Sequence, residues 1–131
     1  MSKLLARAKA KRFSAENSYN NMALDDAYID ECCFNLQQAI EFCLKYLVEM
    51  SGEAYIENHD IRAQMNKLKK MDKYFPCEEK LRFMASTINS WEVDTRYNDN
   101  FVALLEDIDE ARDIADELIE YCEKQVKTFE R

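Results

Sequence analysis

One glycine and one proline in 131 residues are too few for a strand-rich fold, whose tight turns draw on both. That scarcity leaves long helices with short connections. One histidine, His59, and five cysteines without a CxxC pair (Cys32, Cys33, Cys43, Cys77 and Cys122) offer no zinc-ligand spacing, so neither a metal nor a cofactor is expected. An odd number of cysteines, four of them on apolar faces of helical segments, fits buried free thiols in a reducing cytoplasm. No apolar run approaches the roughly eighteen residues that cross a bilayer, and no membrane partner is expected. The first dozen residues are basic but lack a continuous apolar core, so they do not read as a secretory signal.

What is present is a chain with 47% hydrophobic and 34% charged residues, the balance of a soluble globular protein rather than a disordered one. Its length suits a single domain over residues 1–131, able to bury roughly two-thirds of the surface its unfolded form exposes. The net charge of −8 is unevenly spread: residues 1–12 carry five cations (Lys3, Arg7, Lys9, Lys11, Arg12) and no acid, while residues 101–131 carry ten acids against four bases, a net −6. An acidic chain is a poor nonspecific binder of nucleic acid, because phosphate affinity rests on cations. The N-terminal cluster is read either as a local basic patch or as a solvated helix face.

Five helical segments emerge, and the expected fold is all-α: an up-and-down antiparallel bundle of four to five helices. In the second segment Ile29, Cys33, Leu36, Ile40, Cys43, Leu47 and Met50 alternate spacings of four and three. Phe34, Phe42, Leu44, Tyr46 and Val48 widen the apolar surface, which marks this helix as central, and Ser51-Gly52 ends it. The fourth segment carries Cys77, Leu81, Met84, Ile88 and Trp91 after Pro76, a favoured first-turn residue. The last carries Phe101, Leu105, Ile108, Arg112, Ala115, Ile119, Cys122, Val126 and Phe129, with Arg112 expected to pair with Asp109 and Asp116. The first (roughly 3–21) and third (roughly 60–72) segments are weaker. Asp60 is the expected N-cap of the third, and Asn98, Asp99 and Asn100 are candidate caps of the last. Substitutions within residues 1–8 are expected to leave stability nearly unchanged, since terminal segments fray.

Three groups of residues are chemically distinctive. Gln37, Gln38, Glu41 and Lys45 form a polar stripe at helical spacing, opposite much of the apolar seam. Glu41 and Lys45 are an i,i+4 pair worth about 0.2–0.5 kcal/mol on a solvated helix, and the stripe can equally line a groove that offers amide groups to a ligand or partner chain. Arg96, Tyr97 and Asp99 sit in a turn-rich break before the last helix. Arg96 suits a phosphate, with Tyr97 to stack on a base and the following helix N-terminus to receive an anion. The competing role is an ion pair with Glu92, Asp94, Asp99 or a carboxylate of the second helix. His59 precedes a helix start and serves either as a proton acceptor or in satisfying local backbone groups.

The run Cys33-Phe34-Asn35-Leu36-Gln37-Gln38-Ala39-Ile40-Glu41 through Leu44-Lys45-Tyr46-Leu47 resembles the second helix of HEPN domains, with their C-F-x-x-Q-Q-A-x-E-x-x-L-K-x-L pattern. Asn58-His59-Asp60-Ile61 is similar to the family's H-D-L segment. Arg96-Tyr97-Asn98-Asp99 is similar to its R-Y-P-D segment, with Asn98 in place of proline. Order and spacing agree across about residues 14–128. The resemblance implies a helical bundle, a homodimer, a cytoplasmic prokaryotic setting and a minimal nucleotidyltransferase as partner, often as toxin and antitoxin. It also implies, for some members, metal-independent RNase activity through an R-x4–6-H motif. Counted from Arg96, that motif requires histidine at position 101, 102 or 103, where this chain has Phe101, Val102 and Ala103.

The leading expectation is therefore a noncatalytic HEPN module that engages a nucleotidyltransferase, with a nucleotide in the shared groove. The alternative is a ribonuclease with a displaced catalytic set around Arg96 and His59.

Overall fold

The computed structural model describes the backbone of residues 2–129 and the side chains of residues 2–125. Among these residues five helices follow one another: α1 (Leu4–Asn20), α2 (Ala27–Met50), α3 (Ile61–Lys70), α4 (Glu78–Tyr97) and α5 (Leu105–Phe129). No strand occurs among the described residues. The fold is an all-α helical bundle, as the composition and periodicity indicate.

The breadth of the apolar face on α2 has its consequence in packing: α2 touches all four other helices. Cys33, Leu36, Ile40, Cys43 and Leu47 are buried, with Ile29 and Met50 half-buried at the ends of the seam. The helix stops in a Schellman motif. Gly52 adopts φ +86°, its N–H donates to the Glu49 carbonyl (3.0 Å) and that of Glu53 to the Val48 carbonyl (3.4 Å), the pattern for which glycine is suited. α3 ends the same way without glycine. Asp72 takes φ +55°, with Asp72 N–H on Lys69 (3.1 Å) and Lys73 N–H on Leu68 (2.9 Å). A short polar side chain tolerates this region better than most, which is how α3 closes two residues before the expected end.

The four long helices alternate in direction, and α3 is the exception. After α2 the chain doubles back over residues 51–60, so α3 starts beside Glu41 through His59 and its Leu68 reaches the level of Leu47 and Met50. α3 therefore runs in the same sense as α2.

The two charge clusters are complementary, not independent. α1 lies antiparallel to α5, where Arg12 pairs with Asp116 (2.8 Å) and Lys9 with Glu123 (3.5 Å). Arg112 pairs with Glu16 (2.7 Å) and Asp109 (3.2 Å), and its guanidinium stacks 3.6 Å from the centre of the Tyr19 ring. Arg112 thus takes Asp109 as expected, but Asp116 goes to Arg12. Two of the five cluster members, Lys9 and Arg12, hold α1 on the acidic helix; Arg7 and Lys11 also lie on α1, and Lys3 stands just before it. Two of residues 2–8 depart from the expected fraying: Leu4 and Ala8 are buried, as is Ala15. Two alanines without exposed surface let α1 approach α2 closely, which a moderately polar sequence conceals.

The hydrogen bonds from Arg112, joined by those from Arg12, hold the Glu16 carboxyl below its ordinary value despite the opposing effect of burial. A carboxyl depressed in the folded state stabilises it above the unfolded value, and that contribution disappears as pH falls through the folded value. Glu16 is partly exposed, so screening keeps the effect near 1 kcal/mol, about the size of a good surface network. Urea titrations should show wild type losing more stability than Glu16→Gln between about pH 5 and pH 3; parallel losses would remove Glu16 from the acid response.

At the other end of α5 the sequence reading is shifted. The helix begins at Leu105, and Leu105 itself is 56% exposed. The buried seam runs through Ile108, Ala111, Ile114, Ala115, Leu118 and Cys122, leaving Phe101, Arg112 and Ile119 half-buried; Val126 and Phe129 lie outside the described side chains. The cause is local. The Asn98 side chain accepts from the Asn100 N–H (3.0 Å) and the Asn98 carbonyl from the Phe101 N–H (3.0 Å), so the three polar residues build a turn instead of capping a helix. Pro76 likewise stands one residue before the Cys77 cap of α4, outside its first turn, which carries Glu78 and Glu79.

All five cysteines are free and buried. Burial pushes the Cys32 thiol up to about 11 and the Cys77 thiol up to about 12, and raises Cys33. Contact with Cys122, together with burial, raises Cys43. These are packing thiols, not nucleophiles.

Candidate functional site

The polar stripe of α2 faces inward. Gln37 has no exposed surface, Glu41 is 2% exposed and Lys45 is buried, while Gln38 is half-buried beside them. Two successive spacings of four bring Gln37, Glu41 and Lys45 to successive turns of one helix face. There Glu41 is the hub. It accepts from Gln37 Nε2 (2.8 Å) and from Lys45 Nζ (3.0 Å), and His59 Nδ1 lies 3.1 Å from Glu41 Oε1. The Lys45 ammonium also sits 5.0 Å from the centre of the Tyr55 ring, a favourable cation–π placement. In the single chain this stripe is buried: α2 is covered on this side too, by the 51–60 segment and α3.

That segment is fastened at several points. Gln64, fully buried on α3, donates through Nε2 to the Ile56 carbonyl (2.6 Å) and accepts from the Ile56 N–H (3.2 Å). Lys67 Nζ donates to the Ala54 carbonyl. Asp60 caps α3 as expected, accepting from Arg62 N–H (2.9 Å). Asn89 of α4 binds both sides of this junction, accepting from Ile61 N–H (2.9 Å) and donating to Asp60 (2.8 Å). The Asn58-His59-Asp60-Ile61 stretch therefore has a physical account. His59 reaches the hub, Asp60 caps, and Ile61 enters the core with no exposed surface. The partner of His59 is a side-chain carboxylate, not the local backbone. Its bond engages Nδ1, and the side chain is 61% exposed.

Arg96 and Tyr97 belong to the last turn of α4, not to the break that follows. Arg96 Nε donates to the Glu92 carbonyl (2.8 Å) and its Nη2 to the Glu92 carboxylate. The guanidinium lies over the Phe34 ring of α2 (5.5 Å) and the Tyr97 ring (5.1 Å). Glu92 is thus the carboxylate that engages it. Tyr97 is 73% exposed and Asp99 is exposed. The helix N-terminus expected to receive an anion starts at Leu105 and carries Glu106 and Asp107 in its first turn, which repels one.

The structure therefore gathers Gln37, Glu41, Lys45 and His59 into one buried network and places Arg96 with Tyr97 beside Phe34, one turn before Gln37 and Gln38. No hydrogen bond joins the two groups among the described residues. Tyr55, Gln64 and Asn89 escaped the sequence reading. Only Gln64, a polar residue one turn after buried Ile61 on α3, left a trace in the pattern. A recess of about 350 Å³ near Leu47, Leu68, Tyr74 and Tyr121 contains none of the candidate residues. No cluster of three His, Cys, Asp or Glu side chains is arranged to hold a metal among the described residues, and no helix among them is long and apolar enough to cross a membrane.

A five-helix bundle with a Gln-Gln-Ala-Ile-Glu helix at its centre, its glutamate bonded to the histidine of an H-D-I segment, defines a narrow class. The profile of the HEPN domain matches residues 1–125. The chain belongs to the HEPN domain family, a family of nucleotide- and RNA-related modules. No curated protein and no solved structure matches the chain significantly.

Proposed function

We propose that this chain is a HEPN-type binding and interaction module: a homodimer that engages a minimal nucleotidyltransferase in a prokaryotic toxin–antitoxin-like or defence system, in the cytoplasm, with a nucleotide as ligand of the shared groove. One observation carries the noncatalytic part. Phe101, Val102 and Ala103 occupy the positions at which the R-x4–6-H pattern needs histidine after Arg96, and residues 52–54, from which the same pattern would lead to His59, are Gly, Glu and Ala.

The chemistry agrees. Cleaving RNA without a metal requires a base for the 2′-hydroxyl and a group to stabilise charge on phosphorus. Arg96 can do the second but never the first, because its guanidinium stays protonated. A positioned acid–base group is worth roughly 10²–10⁴ in rate. The rival ribonuclease reading has one feature in its favour, the 61% exposed side chain of His59. Against it, His59 and Arg96 are bound to different carboxylates, Glu41 and Glu92.

Support for self-association comes from the surface. Val93, Tyr97, Val102 and Leu104 are all exposed at the end of α4 and in the connection to α5, a concentration of apolar side chains that suits a self-complementary two-fold contact.

The purified chain is expected not to cleave single-stranded RNA specifically, and Arg96→Ala is expected to keep the fold while weakening binding of a phosphate-bearing nucleotide. Cleavage by wild type that is lost in both Arg96→Ala and His59→Ala would establish the ribonuclease reading instead.

A further inference from the structure

α4 and α5 leave between them an open groove of about 660 Å³, lined by Glu79, Lys80, Phe83, Met84, Glu106, Asp107 and Glu110. Its chemistry is lopsided. Four of the seven lining residues are carboxylates, and the single cation, Lys80, is held by Glu117 (3.1 Å). Phe83 is 87% exposed, more than any other large hydrophobic residue among those described. A phenyl ring in that position gains nothing from the fold. Spacings of three and four then run from Phe83 through Ser86 to Ser90, all exposed, so the groove opens onto an uncharged strip of α4 that ends before Val93.

We propose that this groove docks a cationic amphipathic helix of a partner protein, with Phe83 and Met84 meeting its apolar face and Glu79, Glu106, Asp107 and Glu110 meeting its lysines or arginines. The inference rests on the reading of the chain as an interaction module and specifies the face and charge of the partner. An apolar anchor with a polar rim is the usual anatomy of helix-in-groove recognition, and the rim sets the sign of what can approach. The same rim disfavours the other occupants. A second copy meeting the groove in a two-fold contact would oppose Glu106, Asp107 and Glu110 with carboxylates of its own, and a nucleic acid would bring phosphates against them. Phe83 lies ten residues from Val93, about 15 Å along the helix, so a contact of the α4 end with a second copy leaves the groove open.

Fluorescence anisotropy with the full chain tests this, using a labelled Leu/Lys amphipathic helix of about eighteen residues and a scrambled peptide of the same composition. The helix is expected to bind at least about tenfold more tightly than the scramble. Phe83→Ser is expected to lose about tenfold, as hot-spot truncations do. Glu106→Gln/Glu110→Gln is expected to lose a similar factor together with much of the salt dependence. Circular dichroism of these surface variants should match wild type. Equal binding of helix and scramble, or unchanged binding by Phe83→Ser, would overturn the assignment. Phe83-dependent self-association in light scattering would overturn it too, by giving the groove to a second copy. Failure here leaves the module reading standing, because a protein partner recovered from the host decides that reading independently.

Discussion

Glu41→Ala is expected to be the most damaging single polar substitution in the chain, costing about 3–5 kcal/mol in a urea titration. Glu41 is the only carboxylate bonded to the buried Lys45 ammonium among the described residues, and it also accepts from Gln37 and faces His59. Its removal strands a buried positive charge and a buried amide donor at once. The Lys45 contact with Tyr55 does not replace an anion, since a cation–π pair contributes about 0.5–2 kcal/mol. Removing both charges together should be far milder, because the desolvation cost of each vanishes with it. Glu41→Leu/Lys45→Met is therefore expected to recover most of the loss. A deficit below about 1 kcal/mol in Glu41→Ala would mean that the network is solvated and not a buried hub.

Ile40→Ala and Leu36→Ala are expected to cost about 2–5 kcal/mol each. Both residues are wholly buried on α2, the helix that contacts every other, so the cavity cannot be closed by moving one neighbour. Leu105→Ala provides the contrast. Its side chain is more than half exposed, and truncation there should change stability by no more than about 0.5 kcal/mol. A denaturant series that ranks Leu105 with Ile40 would show that α5 docks one turn earlier than described.

Most of the fold was legible because α2 and α4 bury what their periodicity selects. Cys77, Leu81, Met84, Ile88 and Trp91 are all core residues, and Gly52 ends α2 by the backbone conformation that only glycine adopts freely. α5 was legible in type and, at Ile108, Ala115 and Cys122, in its buried seam, but not in where it starts. Three consecutive polar residues at 98–100 satisfy either a cap or a turn, and the turn wins, moving the helix start to Leu105. α1 was hardest to read, since its buried face is largely alanine and its anchoring is electrostatic. Periodicity does not register charge complementarity between segments 104 residues apart, as for Arg12 and Asp116.

The candidate site was legible as a set of residues and not as an environment. Gln37, Glu41 and Lys45 read as a polar stripe on one face, and spacing alone cannot say whether such a face meets water or a returning chain. The segment 51–60 decides it, and its fastening by Gln64, Lys67 and Asn89 depends on contacts across three helices. Arg96 illustrates the same limit. Its partner Glu92 was one of several carboxylates within reach in the sequence, while the Phe34 ring beneath it comes from a helix more than sixty residues earlier.

The proposed function of this HEPN chain is association with a partner. Its most direct test is the mass, by light scattering, of the complex recovered when the tagged chain is purified from its native host. The expected particle contains two copies of the 15.5 kDa chain and a stoichiometric nucleotidyltransferase. A well-folded 15.5 kDa monomer recovered alone would contradict it.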